Sequence, residues 1–399
     1  MSAFAHSDVV IVGAGPAGSL AAYILASRGI SVRIIDRAPF PRYKPCGGGV
    51  TEQALRMLPF AIDEVVEDRS VRPVIRVGER TIFDATLDTP VIHMVMRDRL
   101  DAFLVEKAVS QGAHFTDATA FLSVSGRPGD LRVTTSTGEL RTRVLVGADG
   151  VTSRVGRALR LNPQPRIMGA IQAELVCRHD RNLAAYRGKV CFDFGVVPKG
   201  YGWIFPKAKH LSVGILSTDR HPRGLMDQFR KYLNACGLSN DIASLRLRGY
   251  RIPYSPVNPD ALAGDRGLLI GDAAGITDPV TGEGIHYAFK TAAIAAEVIR
   301  GTLEGRLPGL PVYARRVRAE VLRDLTAADR LARVFYAVPK LNALFFRTYG
   351  ERGARYYLDI IQGKRGFREV FRRLFHPAQL AAVFCRLAVG ASATFARKR

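Results

Sequence analysis

Three features of the 399-residue chain predict an α/β (α+β) protein. A β-rich run at Asp8 to Val12 breaks into Gly13-Ala14-Gly15-Pro16-Ala17-Gly18 and is followed by a helix-forming segment and a second strand. That order is a Rossmann-type βαβ unit. Residues 167 to 217 read as four or five short strands separated by turn residues, which is an inserted antiparallel β-sheet domain. After Pro311 the spacing is helical almost to the end, so the C-terminal region is expected to be helical. The expected division is 1–165 with 250–305 for a discontinuous nucleotide-binding domain, 166–249 with parts of 60–100 for the sheet domain, and 306–399 for the helical region.

Each element has its own local reason. Ser19 to Ser27 has helix-forming composition, and Ile30 to Ile35 is strand-like. Apolar-polar alternation recurs at Val71 to Phe83, Ala113 to Val124, Leu131 to Thr135 and Leu140 to Val146. Arg99 to Gln111 is amphipathic with helical spacing. In the sheet domain the turns fall at Arg187-Gly188, Pro198-Lys199-Gly200 and Lys207 to His210. Leu225 to Cys236 reads as a helix, Gly267 to Ile270 as a buried strand and Gly284 to Arg300 as a long helix. Pro339, Gly350, Gly363, Gly366 and Pro377 are expected to interrupt the C-terminal helices.

Composition narrows the function classes. Hydrophobic residues make up 47% and charged residues 24% of a chain whose mean hydropathy is +0.03, which excludes a disordered or fibrous protein. The net charge of +22 and pI of about 10.3 call for an acidic partner. Arg306 to Arg399 holds 20 basic and 6 acidic residues, so the excess is concentrated there. Nucleic acid is disfavoured because no zinc-finger, RNP-like or helix-turn-helix pattern is present. An anionic membrane surface is the better expectation, through Arg315, Arg316, Arg318, Arg372, Arg373, Arg397, Lys398 and Arg399, with a solvated basic face as the alternative. Cys46, Cys177, Cys191, Cys236 and Cys385 are odd in number and lack a CxxC, which fits a reducing compartment and no disulfide framework. His93, His114, His286 and His376 show no ligand spacing, so no metal is expected. The apolar run 9–26 is a glycine-containing fold element rather than a signal or membrane segment, so a cytoplasmic chain, or one peripheral on the inner face of a membrane, is expected.

The chemistry lies in the motifs. In GAGPAG the first glycine permits the tight turn, the second lets backbone approach a pyrophosphate and the third lets helix pack on strand. The helix N-terminus then faces the phosphates. Asp36 ends the second strand about 20 residues on, where a carboxylate accepts hydrogen bonds from an adenosine ribose. Residues 144–154 (VLVGADGVTSR) place Asp149 in a second glycine turn after a buried strand. Residues 268–284 (LLIGDAAGITDPVTGEG) place Gly271 and Asp272 after a third, with Pro279, Gly282 and Gly284 behind them. An Asp so placed suits a ribityl hydroxyl, and the glycines suit backbone contact with a flavin ring.

These turns resemble those of flavoproteins sharing the p-hydroxybenzoate hydroxylase fold, from about residue 8 to 300. Phe40-Pro41-Arg42-Tyr43-Lys44-Pro45-Cys46-Gly47-Gly48-Gly49 resembles the PxxKxCGG segment of geranylgeranyl reductases, and Tyr201-Gly202-Trp203-Ile204-Phe205-Pro206 resembles their YxWxFP motif. The resemblance implies a non-covalent FAD whose reduced form delivers hydride to isolated prenyl double bonds. It implies that Gly13, Gly15, Gly18 and Asp36 hold the adenosine diphosphate half, that Arg97 approaches the flavin chain, that Asp272 binds the ribityl and that Gly282 and Gly284 lie near the isoalloxazine. Cys46 and Gly47 to Gly49 would line the substrate side, with Tyr201, Trp203 and Phe205 walling a lipid tunnel. One departure is Leu216, where family members commonly carry the second glycine of a GxG.

An isolated alkene has no carbonyl to delocalise charge, so a proton must accompany or precede the hydride. Cys46, Tyr201 or an ordered water is the expected donor, each able to give a proton without carrying net charge in an apolar pocket. Plainer readings stand beside these: Cys46 as a small packing residue, and Trp203 as core. No second GxGxxG exists, so NAD(P)H or a small electron carrier is expected to visit transiently. Two alternatives share the motifs: an FAD-dependent aromatic monooxygenase or halogenase, and a non-redox prenyl-binding escort-like module. Halogenases carry WxWxIP where this chain has YGWIFP, and the escort would lack nucleotide glycines that are all present here.

Overall fold

The computed structural model describes residues 5–219, 224–337 and 339–376. The expected ligands Arg397, Lys398 and Arg399, with Pro377 and Cys385, lie outside the described residues.

The first layer is an eight-stranded sheet. Its parallel centre pairs Ala5–Val12 with Gly138–Gly147 on one side and Val32–Ile35 on the other, with His114–Thr116 and Gly267–Leu269 flanking them. These strands are nearly continuous apolar runs, as expected of a parallel sheet centre that is covered rather than open to water. Val9, Val10, Ile11, Val144, Leu145 and Val146 are all buried. Helix Pro16–Ala26 packs against helices Arg97–Ser110 and Ile285–Leu303.

The second layer is a seven-stranded sheet running Ile242–Tyr254, Arg166–Cys177, Leu211–Ser217, Gly200–Pro206, Lys189–Phe194, Arg72–Val77 and Arg80–Asp84. One neighbouring pair is parallel, Lys189–Phe194 with Arg72–Val77, because the latter strand arrives from the upstream segment. The far face of this sheet buries Ile171, Ala173, Leu175, Ile204, Val213 and Ile215 beneath helix Leu225–Ala235. The near face looks toward the nucleotide-type layer. A small three-stranded sheet of Gly49–Thr51, Val66–Ser70 and Ile92–Val95 joins the two.

Two elements differ from expectation. Asp180–Tyr186 is a helix inside the region read as strands. Ile242–Tyr254 is a 13-residue strand that the sequence did not mark. It forms the sheet's edge, with Arg246, Arg248 and Arg251 exposed, so it lacks the buried apolar alternation that signals a strand. The C-terminal helices Val312–Val317, Arg323–Ala337, Pro339–Ile361 and Phe367–Leu374 close the end of the molecule, and Gly350 kinks the third with φ of 50°. They are bolted to the core by buried hydroxyls: Tyr313 donates to the Leu269 carbonyl at 2.8 Å and Tyr336 to the Val280 carbonyl at 2.8 Å.

Candidate functional site

A cavity of about 1340 Å³ lies between the two layers. Its walls include Gly13, Gly15, Asp36, Cys46 to Gly49, Arg97, Asp149, Tyr201, Trp203, Phe205, Asp272, Gly282 and Gly284. Of the residues singled out from sequence, Gly18 and Gly271 stand behind the wall rather than in it, and both serve close packing.

The nucleotide-side wall is made of backbone. Gly13 has φ of +108°, and a Cβ there would stand 2.3 Å from the Ala148 carbonyl oxygen. A Cβ on Gly18 would stand 1.9 Å from the Gly13 carbonyl oxygen. Only glycine lets the first strand, the helix and the 147–150 turn come together. Gly15 caps helix Pro16–Ala26, and its missing side chain faces guanidinium nitrogens of Arg42 and Arg97 at 3.7 and 3.9 Å. A helix N-terminus flanked by two guanidiniums is a cradle for a pyrophosphate. Asp36 accepts from the Ala14 and Ala38 backbone N–H groups at 2.9 and 3.0 Å, which holds it beside that cradle.

Arg97 is 6% exposed and makes two bonds to Asp101, at 2.7 and 2.8 Å. Arg42 reaches the same carboxylate at 2.9 Å. Burial works against the Arg97 charge, but Asp101 and the Cys46 thiol beside it outweigh that and raise its pKa. Arg42 and Asp101 were not singled out from sequence; the i,i+4 spacing of Arg97 and Asp101 on one helix was the available signal. Asp149, expected beside the cofactor, lines the cavity and is held by its own turn. Its oxygens accept from the Ser153 hydroxyl at 2.5 Å and from the Arg154 and Val155 N–H groups at 2.6 and 3.2 Å. It therefore shapes the turn and caps the next helix, with both oxygens engaged by protein.

The loop after Asp272 is built by Asp278, whose carboxylate gathers the Val280 and Thr281 N–H groups at 2.7 Å each and the Glu283 N–H at 3.2 Å. Burial pushes Asp278 up to about 6 despite those donors. Gly282, with φ of +72°, touches the opposite wall: a Cβ there would lie 3.1 Å from Leu216 and 3.6 Å from the Tyr201 hydroxyl. Glu283, unmarked in the sequence, lines the cavity between the two glycines and accepts from the His286 N–H at 2.9 Å. Burial, only partly offset by that bond, pushes its carboxyl up to about 7.

The sheet-side wall is made of side chains. Strand register puts Trp203 beside Gly214 and Tyr201 beside Leu216 on the face toward the cavity. The Trp203 ring lies so flat over Gly214 that a Cβ on that glycine would be 2.2 Å from it. Its indole N–H is buried without a hydrogen-bond partner. The Tyr201 hydroxyl donates to the Thr281 carbonyl, and burial raises its pKa. That proton is engaged by backbone, which weakens Tyr201 as a donor to substrate. Tyr357, from the C-terminal helices, closes this wall by packing edge-on against Phe192 and Phe194, with centroids 5.3 and 5.4 Å apart.

Between the walls runs the Cys46 to Gly49 loop. Lys207, fully buried, donates from Nζ to the Gly47, Gly48 and Val95 carbonyls at 2.8, 3.0 and 3.1 Å. Burial lowers its pKa to about 8. Gly48, with φ of +65°, leaves no room for a Cβ, which would be 2.1 Å from the Val95 oxygen. Cys46 therefore sits on a fixed loop, between the Arg97 guanidinium and the aromatic wall. Lys207 carries no signal in the sequence beyond directly following the YGWIFP strand.

The arrangement fits FAD. The glycine cradle and paired guanidiniums suit its pyrophosphate, Asp36 its ribose, and Asp272 with the buried, unpartnered Thr277 hydroxyl suits the ribityl chain. Among the described residues no His, Cys, Asp and Glu cluster suits a metal, and no described helix is long and apolar enough to cross a membrane.

Comparison with known proteins agrees. Residues 6–188 match the FAD binding domain family. Geranylgeranyl diphosphate reductase of Rhodobacter capsulatus is 30% identical over 329 residues, which cover 79% of this chain and 80% of that one. The crystal structure of a geranylgeranyl bacteriochlorophyll reductase-like protein from Thermoplasma acidophilum superposes with a TM-score of 0.69 at 24% identity, covering 82% of this chain and 88% of that one. The flavin-dependent brominase Bmp2 superposes with a TM-score of 0.69 at 21% identity, covering 99% of this chain and 100% of that one, a likeness of fold. The chain belongs to the geranylgeranyl reductase family of FAD-dependent oxidoreductases.

Proposed function

We propose that this reductase saturates isolated double bonds along a polyprenyl chain laid against the Tyr201–Trp203–Phe205 wall. The observation that carries this reading is the pairing of walls: an aromatic sheet face stands across one cavity from the glycine loops suited to a flavin ring. FAD, when bound and reduced, supplies the hydride. The chain's own residues supply everything else. Trp203, Phe205 and Phe192 bury the prenyl methyls, at roughly 25 cal/mol per Å² of apolar surface removed from water. They also keep water from the reacting carbon. Leu216, against Gly282, narrows the slot and limits how far the chain is threaded.

Two wall groups hold a proton without needing net charge: the Cys46 thiol and the Glu283 carboxyl. Glu283, near 7, is substantially protonated at neutral pH and suits a general acid. NAD(P)H or a small carrier protein is proposed as the transient reductant, since the cavity holds one nucleotide cradle.

A membrane contact is proposed for the basic C-terminal face, where a lipid substrate would be drawn from. Arg316 and Arg318 are paired with Glu297, Glu320 and Asp260, so they contribute less than expected. Helix Phe367–Leu374 buries Phe367, Val370 and Leu374 and leaves Arg368 and Arg372 outward. Charge reversal of those two, rather than removal of the helices that carry the buried Tyr313 and Tyr357, is the clean test. Undiminished co-sedimentation with anionic vesicles would refute the contact.

The redox reading is tested anaerobically. Reduced holoenzyme mixed with geranylgeranyl compounds should reoxidise and yield products heavier by two hydrogens per bond. Reoxidation only on admitting oxygen, with an oxygenated or halogenated product, would instead favour the monooxygenase or halogenase reading.

A further inference from the structure

The near face of the seven-stranded sheet changes character across its width. Strand register aligns Phe192, Trp203, Gly214, Gln172 and Arg248 in one row, and Phe194, Tyr201, Leu216, Ala170 and Tyr250 in the next. A third row runs Phe205, Ser212, Glu174 and Arg246. The face is thus aromatic where the cavity is deepest and cationic at its outer strand, three strand spacings or roughly 14 Å away.

Among the described residues the cations at that edge lack acidic partners. Arg246 stands directly across from Glu174, yet its guanidinium lies over the Tyr43 ring, 3.7 Å from the centroid. Glu174 is taken up by the Gln172 amide at 2.5 Å, the His210 ring at 2.7 Å and the Tyr43 hydroxyl at 3.3 Å. Among the described residues no carboxylate lies in ion-pair reach of Arg246, Arg248 or Arg251, all of which are exposed. Arg251 and Lys44 border the cavity itself, with the Lys44 ammonium 4.3 Å over the Tyr250 ring and 3.9 Å from Asp272.

We infer that Arg246 and Arg248, whose cross-strand neighbours Glu174 and Gln172 share their face, form a phosphate-binding rim at the cavity mouth, which holds the diphosphate of a ligand whose remainder enters the slot. The inference rests on the prenyl-reductase reading and adds a head-group site to it. Guanidiniums on a rigid strand give bidentate, charge-assisted contacts to phosphate oxygens. Two ligands carry that chemistry, a prenyl diphosphate and a nicotinamide dinucleotide, and the rim discriminates both from a neutral prenyl tail.

The test is calorimetric titration of FAD-loaded enzyme with geranylgeranyl diphosphate, geranylgeraniol and NADPH, on the wild type and on R246Q/R248Q. The variant's flavin absorbance confirms that it is folded and loaded. The wild type should bind the diphosphate at least about tenfold more tightly than the alcohol, with the gap shrinking as salt rises. R246Q/R248Q should erase the gap while leaving alcohol affinity unchanged. A loss confined to NADPH also supports the rim and makes the dinucleotide its ligand. Unchanged affinity for both phosphate ligands overturns the inference and leaves the arginines as guards of an exposed sheet edge. Failure of the alcohol to bind the wild type counts against the prenyl slot itself, so the two failures are distinguishable.

Discussion

The two walls of the cavity are made in opposite ways. On the nucleotide side, Gly13 and Gly18 leave backbone atoms in contact, and added carbons would fall 2.3 and 1.9 Å from carbonyl oxygens. On the sheet side, Tyr201, Trp203, Phe205 and Leu216 shape the space by volume, each on a strand held by its neighbours. A wall of backbone accepts no change, because no rotamer relieves a clash with main chain. A wall of side chains accepts change and converts it into altered specificity. On the proposed reading, the cofactor would be recognised rigidly and the substrate adjustably.

The sharpest way to break this contrast is to add a methyl directly behind the backbone wall, where Gly18 packs on the Gly13 carbonyl. Gly18→Ala should cost more than about 3 kcal/mol and give protein without flavin absorbance. A Gly18→Ala protein that remains yellow and stable would undo the distinction. Lys207→Met comes next. It leaves the Gly47, Gly48 and Val95 carbonyls without their donor, and should lower stability by about 3 kcal/mol by thermal denaturation. Because Lys207 ties the Cys46 loop to the sheet, the same variant should loosen the join between the walls, seen as faster hydrogen exchange at Gly48 and Val95.

Glu283→Gln probes the chemistry rather than the frame. A donor is active while protonated, so wild-type turnover should fall as pH rises through about 7, the value to which burial pushes Glu283. The variant should lose that limb and roughly 10²-fold in kcat, with little change in KM. A Glu283→Gln enzyme that keeps its full kcat would remove Glu283 as the donor, and Cys46→Ala would then show the loss. Smaller still, Leu216→Gly should shift the preferred prenyl length by a few-fold in kcat/KM while FAD stays bound. Trp203→Phe should change KM least, since its N–H has no partner to lose.

How much of this was legible in the sequence follows the same divide. Gly13, Gly15, Gly18 and Asp36 lie within 24 residues and act through local backbone, so their spacing alone identifies them. The two-layer fold was equally readable from the glycine turns and the strand runs. Lys207 acts on Gly47 across 160 positions of sequence, and nothing near Lys207 announces that contact. Glu283 gains its raised pKa from packing, which a Gly-Glu-Gly triplet does not display. Asp149 sits in a recognisable motif, but that its turn brings Ser153, Arg154 and Val155 onto both oxygens is visible only in the fold. The edge strand Ile242–Tyr254 hid because its arginines face outward.

The central claim is that the aromatic sheet face and the glycine loops enclose one flavin. Trp203 is the chain's single tryptophan and lines the cavity, so its emission reports on that enclosure directly. In the holoprotein Trp203 fluorescence should be strongly quenched, recovering when FAD is stripped and falling again when it is restored. Emission that is indifferent to FAD would place the flavin away from the sheet and contradict the account.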